Sequence, residues 1–152
     1  MDDDLALDRQ LCFALYAASR SVTSLYRPVL DELGLTYPQY LVLLVLWERG
    51  PMGVGELGAA LRLDSGTLSP LLKRLESAGV VTRGRRADDE RSVLVEPTAH
   101  GLALRDRARG VPRRLLRAAG LSVEEVVALR DTLTRLTAAL DAAAKTHEGV
   151  LR

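Results

Sequence analysis

Apolar residues in the first part of the chain recur at the i, i+4, i+7 spacing of one helix face. Pro28 is expected to bend this helix or loosen its end, and Gly34 is expected to stop it. A small monomer cannot cover so long an apolar face, so the pattern indicates a partner subunit. The apolar or small residues of this stripe are Leu11, Leu15, Ala18, Val22, Leu25, Val29 and Leu33.

The middle of the chain predicts three shorter helices that are separated by glycine and proline. The first begins at Thr36–Pro38, runs to about Arg49 and is broken by Gly50-Pro51. The second spans residues 54–61, and the third starts near Asp64 and ends at Gly79. The residues expected to face inward are Val54, Leu57 and Leu61 in the second helix, and Leu68, Leu71 or Leu72, and Leu75 in the third.

Two β-prone runs, 80–83 and 93–95, flank a charged segment, 85–91, and together they predict a β-hairpin with a polar tip. Two short helices with a tight connection, followed by such a hairpin, form a winged helix-turn-helix. By its order in the chain, the helix that starts near Asp64 is the recognition helix.

Two more predicted helices follow the hairpin. Thr98 is expected to cap one that runs to roughly Ala118, and Ser122 and Glu125 form a capping box that begins the last. The apolar face of the last helix consists of Val126, Leu129, Leu133, Leu136 and Leu140.

These patterns predict a mainly α fold, a winged helix-turn-helix with a small β-hairpin wing, flanked by N- and C-terminal dimerisation helices. We expect a single domain over residues 1–152. Its DNA-binding lobe is expected at about 36–97, and its dimerisation helices at about 5–34 and 98–146.

Composition narrows the class of protein. The 152 residues are 47% hydrophobic and 27% charged, which is typical of a globular chain, and the net charge of +1 gives nucleic-acid binding no general support. The acidic start, Met1–Asp4, does not resemble a signal peptide, and no apolar run is long enough to span a membrane, so we expect a cytoplasmic protein. Cys12 is the only cysteine, and His100 and His147 lie far apart, so we expect no metal site and no cofactor.

The recognition helix offers a polar outer face. Ser65 and Ser69 share a face and Thr67 points to an adjoining edge, where short hydroxyls can reach bases or phosphates. Lys73 and Arg74 follow on the outward side. An alternative interpretation is that Ser65 and Thr67 only cap the helix while Lys73 and Arg74 form a solvated face.

The hairpin offers a second basic surface. Its arginines, which include Arg86 and Arg91, surround the acidic run 88–90, and a guanidinium suits a narrow minor groove. Asp89, two residues before Arg91, is expected to hold that guanidinium in an extended pose. We therefore expect DNA binding to depend on the local placement of these side chains more than on the net charge of the chain.

The chain resembles the MarR family of winged-helix regulators. Residues 63–76 are similar to the recognition helix of that family, and Asp89-Glu90-Arg91 matches its D-x-R wing motif. Within the family, residues 10–16, 35–41 and 63–76 most resemble the OhrR branch of organic hydroperoxide sensors. The chain lacks the second, C-terminal cysteine of some members, which places it with the one-cysteine type.

This resemblance implies a homodimeric repressor on a pseudo-palindromic operator in double-stranded DNA. It implies that Cys12 is the reactive cysteine and that the hydroxyls of Tyr26 and Tyr37 hydrogen-bond it across the dimer. It also implies that the recognition helix contacts DNA through Asp64, Ser65, Thr67, Ser69, Lys73 and Arg74, and that the wing does so through Arg91. To these predicted DNA-binding residues we add Arg86 and Asp89 of the hairpin.

The residues around Cys12 are compatible with peroxide sensing. A thiolate is the form that reacts fast, and Cys12 lies in the early turns of a helix, where the dipole favours negative charge. Tyr16 is one turn on, and an apolar lining would favour organic hydroperoxides over hydrogen peroxide. That expected lining consists of Phe13, Leu15 and Trp47.

Oxidation would give a sulfenic acid that a low-molecular-weight thiol caps as a mixed disulfide, because the chain has no second cysteine. The operator would then be released, and a peroxide-detoxifying gene would be derepressed.

Three alternatives remain at this point. Cys12 would be incidental in a repressor that binds a small aromatic ligand in the same crevice. It would be a small buried hydrophobe if its role were structural. A thiol peroxidase would need an activating arginine or acid near the thiol, and no arginine with that role is evident, so we do not expect an enzyme.

Overall fold

Seven α-helices and three short strands follow one another along the part of the chain that the structure describes. The structure is a computed structural model that describes residues 4–88 and 92–150, the last four by their backbone alone. A single 3-10 turn, Leu7–Arg9, precedes the first helix. In chain order the elements are α1 (Leu11–Asp31), α2 (Tyr37–Arg49), β1 (Met52–Gly53), α3 (Val54–Leu61), α4 (Ser65–Ser77), β2 (Val81–Arg85), β3 (Val93–Pro97), α5 (Ala99–Ala108), α6 (Val111–Ala119) and α7 (Val123–Val150).

Helix starts follow the capping chemistry of the sequence. Thr36 and Gln39 form a capping box at α2, where the Thr36 backbone amide donates to Gln39 Oε1 at 2.9 Å. The predicted box at α7 is confirmed, since Ser122 N donates to Glu125 Oε2 at 2.7 Å and Glu125 N donates to Ser122 Oγ at 3.1 Å. The predicted stop of the first helix is also confirmed, because Gly34 takes a φ of 68° just after α1.

The predicted hairpin is confirmed as β2 and β3, and a third strand joins it. β3 is the central strand, with β2 antiparallel on one side and β1 antiparallel on the other. Met52 pairs with Val95 and Gly53 with Leu94. β1 was not predicted from the sequence, because two residues are too few to show an alternating pattern.

The core of residues 4–110 lies between α2, α3, α4 and the sheet. α2 buries Tyr40, Val42, Leu43 and Leu46. The predicted inward leucines of α4 are buried, and both members of the Leu71-Leu72 pair take part. In α3 only Leu57 of the predicted set is fully buried, while Val54 and Leu61 are half-buried.

The predicted helix from Thr98 to roughly Ala118 is wrong in its length. Thr98 does cap it, but α5 ends at Ala108 and α6 begins at Val111. Gly110 is a poor helix former, and Pro112 has no amide hydrogen to continue the hydrogen bonds of α5, whereas it is tolerated in the first turn of a new helix. The chain divides at this break into two compact units, Met1–Gly110 and Val111–Arg152.

α1 and α7 leave much of their apolar surface exposed. Leu30 is the one residue of α1 that is buried. In α7, Val126, Leu133 and Leu136 of the predicted face are half-buried. The large exposed apolar residues of the two helices are Leu11, Phe13, Tyr16, Val22 and Leu25 in α1, and Val123, Val127, Leu129 and Leu140 in α7.

Among the described helices, none combines the length and apolarity that crossing a bilayer requires.

Candidate functional site

The outer face of α4 carries the predicted polar residues. Its four leucines face the core, so the opposite side of the helix faces outward. The predicted residues that are exposed on this side are Ser65, Thr67, Ser69, Lys73 and Arg74.

The N-cap of α4 is Asp64. Its Oδ1 accepts a hydrogen bond from the Thr67 backbone amide at 2.7 Å, and the hydrogen bonds from Thr67 hold the pKa of the Asp64 carboxyl below its usual value. Asp64 therefore supplies the N-cap that was considered above for Ser65 and Thr67. Ser65 remains exposed on the first turn, where the helix dipole favours an anionic group.

Two ion pairs join the wing to the helices. Glu76 of α4 accepts from the Arg83 backbone amide and from Arg83 Nη2, both at 3.1 Å, and these bonds lower the pKa of Glu76. Arg86 Nη1 lies 3.3 Å from Glu56 Oε1 of α3, and Arg86 Nε lies 3.6 Å from Asp88 Oδ1. The wing root is thus fixed against both helices of the helix-turn-helix.

A groove of about 480 Å³ runs between α4, the start of α3 and the wing. Ser65 and Ser69 line one side, and Arg83, Arg86 and Ser92 line the other. Hydroxyl and guanidinium donors therefore face one concave surface. The other predicted wing residues, Asp89 and Arg91, lie outside the described residues.

Three tyrosines form a cluster where α1 meets α2. The ring centroids of Tyr26 and Tyr37 are 4.8 Å apart, and Tyr40 lies 5.8 Å from Tyr26 and 6.5 Å from Tyr37. Tyr40 is almost fully buried. Tyr40 was not among the predicted site residues, although its position three residues after Tyr37 places both rings on one helix face.

Burial and the neighbouring phenols Tyr37 and Tyr40 raise the pKa of Tyr26 from 10.0 to about 12, and burial also raises the pKa of Tyr40. Since the folded chain holds the Tyr26 proton more tightly than an unfolded chain does, Tyr26 adds stability below pH 10.0 that is lost as the pH rises through about 12. The Tyr26 hydroxyl thus remains a hydrogen-bond donor at neutral pH.

A tyrosinate absorbance titration should therefore show a late step near pH 12 in the folded protein. Tyr26→Phe should reduce the amplitude of that step. Circular dichroism on the same samples would report whether the protein is still folded. A Tyr26→Phe titration identical to that of the unsubstituted protein in the late step would contradict the assignment.

Cys12 is the second residue of α1 and is exposed. Within one chain its side chain therefore fills no core position. The N-cap residue, Gln10, makes no side-chain cap here, because its Nε2 donates instead to the carbonyls of Asp4 and Ala6. Cys12 thus lies in a first helical turn whose N-cap side chain is engaged elsewhere.

One chain does not bring all the predicted sensing residues together. Tyr26 lies fourteen residues after Cys12 on α1, which is about 21 Å along the helix axis. The Tyr16 hydroxyl accepts a hydrogen bond from Arg20 Nη1 at 3.2 Å. Trp47, which was expected near the thiol, packs its ring 6.4 Å from Tyr40 and donates from Nε1 to the Gly101 carbonyl at 3.0 Å.

No group of three histidine, cysteine, aspartate or glutamate side chains suited to a metal ion occurs among residues 4–88 and 92–146.

Comparison with known proteins identifies the family. The family of SarA/Rot transcriptional regulators matches residues 24–107. The organic hydroperoxide resistance transcriptional regulator of Bacillus subtilis (strain 168) is 47% identical over 134 residues, which cover 88% of this chain and 91% of that protein.

Solved structures of AbfR, a protein of Staphylococcus epidermidis, have the same architecture. Reduced AbfR bound to DNA superposes with a TM-score of 0.74 at 35% identity and covers 88% of this chain and 94% of its own. Overoxidized AbfR bound to DNA gives a TM-score of 0.70 at 36% identity, with 86% and 93% covered. The chain belongs to the SarA/Rot family of transcriptional regulators, winged-helix proteins of the MarR/SarA type.

Proposed function

We propose that this protein is a DNA-binding transcriptional repressor that senses organic hydroperoxides by oxidation of Cys12 and then releases its operator. The observation that carries the proposal is the exposed Cys12 thiol in the first turn of α1, in a chain that is 47% identical to an organic hydroperoxide resistance regulator. A peroxide-detoxifying gene is the expected target, and the cytoplasm is the expected location.

The DNA-contacting surface in this proposal is the groove between α4 and the wing. α4 would enter the major groove with Ser65, Thr67 and Ser69 toward the bases, while Lys73 and Arg74 would meet phosphates. Arg86 would act at the wing root, where Glu56 and Asp88 orient its guanidinium. Two such surfaces in a homodimer suit a pseudo-palindromic operator in double-stranded DNA.

Lys73→Ala should weaken operator binding and reduce the slope of log K against log salt by about 0.9, because one released counterion is lost per phosphate contact. Lys145→Ala removes the other lysine of the chain, which is exposed on α7, and serves as the matched control. Binding isotherms over a range of salt concentrations would measure both slopes. Equal slopes for Lys73→Ala and the unsubstituted protein would exclude a phosphate contact at Lys73.

The chemistry begins with attack of the Cys12 thiolate on the distal peroxide oxygen. The O–O bond breaks, an S–O bond forms, and the departing alkoxide takes a proton to leave as an alcohol, so that sulfur is oxidised to a sulfenic acid and the peroxide is reduced. A low-molecular-weight thiol then displaces water from the sulfenic acid and forms a mixed disulfide. The chain has no second cysteine that could do so.

The phenol pair Tyr26–Tyr37 needs a second copy of the chain to reach the thiol. Tyr26 keeps its proton at neutral pH, which suits a donor to a thiolate, but the Cys12 of the same chain is about 21 Å away along α1. A cavity of about 260 Å³ beside Tyr37, lined by Thr23, Arg27 and Leu35, leaves room for an approaching group. The exposed apolar residues of α1 and α7 supply the surface for the dimer.

Sedimentation at micromolar concentration should therefore give a species of twice the chain mass. Leu25→Glu, which places a charge among the exposed apolar residues of α1, should shift the protein toward monomer and weaken operator binding. Glu48 is exposed on α2 and already charged, so Glu48→Lys is a suitable control. A stable monomer for the unsubstituted protein would exclude the dimeric sensor.

The function as a whole is tested by a gel shift on the upstream region of the gene that encodes this protein. The protein should retard this DNA, and cumene hydroperoxide with a small thiol should abolish retardation, which excess dithiothreitol should restore. Release by a small aromatic acid together with no response to the hydroperoxide would replace the proposal with the ligand-binding alternative.

A further inference from the structure

We propose that Tyr40 and Trp47 are positioning residues that couple the phenol pair Tyr26–Tyr37 to the junction between α4 and β2. The route runs from Tyr40 through Trp47 and Gly101 to Thr98, and these four residues are called the relay below. The inference rests on the proposed function, because that function supplies the signal, oxidation of Cys12, that reaches the phenol pair. The contacts themselves all lie within residues 4–110.

Tyr40 forms the first step of the relay. Its ring lies between the phenol pair and Trp47, 5.8 Å from Tyr26, 6.5 Å from Tyr37 and 6.4 Å from Trp47. Because Tyr40 is 1% exposed, its ring cannot absorb a shift of its neighbours by turning into solvent. A rearrangement of the phenol pair therefore presses on Tyr40 and, through it, on Trp47.

Trp47 forms the second step. Its Nε1–H donates to the Gly101 carbonyl in the first turn of α5 at 3.0 Å. Tyr40 and Trp47 both belong to α2, so this hydrogen bond is the point at which the route passes from α2 to α5. An indole has one N–H donor, so replacement of Trp47 by phenylalanine keeps an apolar ring but removes the bond.

Thr98 and Gly101 form the last step. The Gly101 amide donates to Thr98 Oγ1 at 3.1 Å, and that hydroxyl lies 2.6 Å from the Gly79 carbonyl and 3.1 Å from the Val80 carbonyl. The Thr98 amide also donates to the Val80 carbonyl at 3.0 Å. A Cβ on Gly101 would lie 2.2 Å from the Val80 oxygen, so the two backbones are in close contact.

The end of the route is the place where both DNA-contacting elements meet. Gly79 and Val80 connect α4, which ends at Ser77, to β2, which starts at Val81. A displacement of the first turn of α5 thus acts on the recognition helix and the wing together. Contiguous contacts of this kind can transmit a coupling free energy.

The test compares the operator dissociation constant before and after treatment with cumene hydroperoxide and a small thiol, with the full-length protein and a labelled upstream duplex. Trp47→Phe and Thr98→Val should each lower the ratio of the two constants by about fivefold or more. Thr98→Ser keeps the hydroxyl and should keep the ratio. Mass spectrometry should show equal modification of Cys12 in all four proteins, which separates transmission from thiol chemistry.

A second readout does not depend on peroxide. Trp47 is the only tryptophan in the chain, so its emission reports on the relay alone. Operator binding should shift this emission in the unsubstituted protein and in Thr98→Ser, and the shift should shrink in Thr98→Val. Unchanged emission in operator-bound protein would overturn the relay, whatever the inducer proves to be.

The two readouts also separate failure of the relay from failure of the proposed function. If peroxide does not change operator binding by the unsubstituted protein, the proposed function is wrong, and the emission shift alone tests the relay. Should it respond while Trp47→Phe and Thr98→Val keep the full ratio, the proposed function stands and the relay is wrong. Where Trp47→Phe does not fold, the Thr98→Val and Thr98→Ser pair gives the same decision.

Discussion

Cys12→Ser should bind the operator with nearly the affinity of the unsubstituted protein and should keep that affinity when an organic hydroperoxide is added. Serine has a similar size and hydrogen-bonding capacity, but it cannot form a sulfenic acid or a mixed disulfide. Because Cys12 is exposed and its side chain fills no core position, the substitution should also leave folding unchanged. The expected effect is complete loss of the peroxide response.

Titration of operator binding against cumene hydroperoxide measures this loss, and mass spectrometry should find one small-thiol adduct per chain on Cys12 of the unsubstituted protein. Tyr26→Phe and Tyr37→Phe are informative companions, since they keep the thiol and remove one donor each, worth about 1–2 kcal/mol. Both should bind DNA normally and respond to peroxide less readily. Release of Cys12→Ser by peroxide would place the sensor elsewhere in the protein.

Gly101→Ala should destabilise the protein by about 2 kcal/mol, the middle of the range for overpacking a tight contact. The sign is informative, because Gly→Ala inside a helix ordinarily stabilises by up to about 1 kcal/mol. Here the added Cβ would meet the Val80 carbonyl oxygen at 2.2 Å, and a backbone atom cannot turn aside as the end of a side chain can.

Urea denaturation followed by circular dichroism would measure the change in unfolding free energy. Gly55→Ala is the matched control, since Gly55 also lies in the first turn of a helix but has nothing within 4 Å of an added Cβ. The control should be as stable as the unsubstituted protein or slightly more so. Equal stabilities for Gly101→Ala and Gly55→Ala would contradict a tight contact between α5 and the Val80 carbonyl.

The helices and their starts could be predicted from the sequence because local chemistry determines them. The leucines of α4 recur at helical spacing, and the capping residues Thr36, Thr98 and Ser122 stand immediately before their helices. The break between α5 and α6 has an equally local cause at Gly110 and Pro112, but the helical pattern on both sides concealed it. β1 has no local signal and forms only through its partner strand.

The candidate site, too, could be predicted only where a local sequence pattern determines it. The outward face of α4 follows from its periodicity, whereas the ion pairs of the wing join residues that no pattern relates, such as Arg86 and Glu56. The bond from Trp47 to Gly101 spans 54 positions of the chain and follows from tertiary packing alone. Trp47 was accordingly expected near the thiol, and the structure places it against α5.

The central position of β3 has a consequence for how the protein folds. Because Met52 pairs with Val95 of β3, the two helices of the helix-turn-helix and β2 lie inside a loop of about 40 residues that this pairing closes. Closing that loop costs conformational entropy, and this cost is offset only when α3, α4 and the hairpin have packed against each other. These elements should therefore fold as one cooperative unit, at a rate limited by a contact between distant parts of the chain.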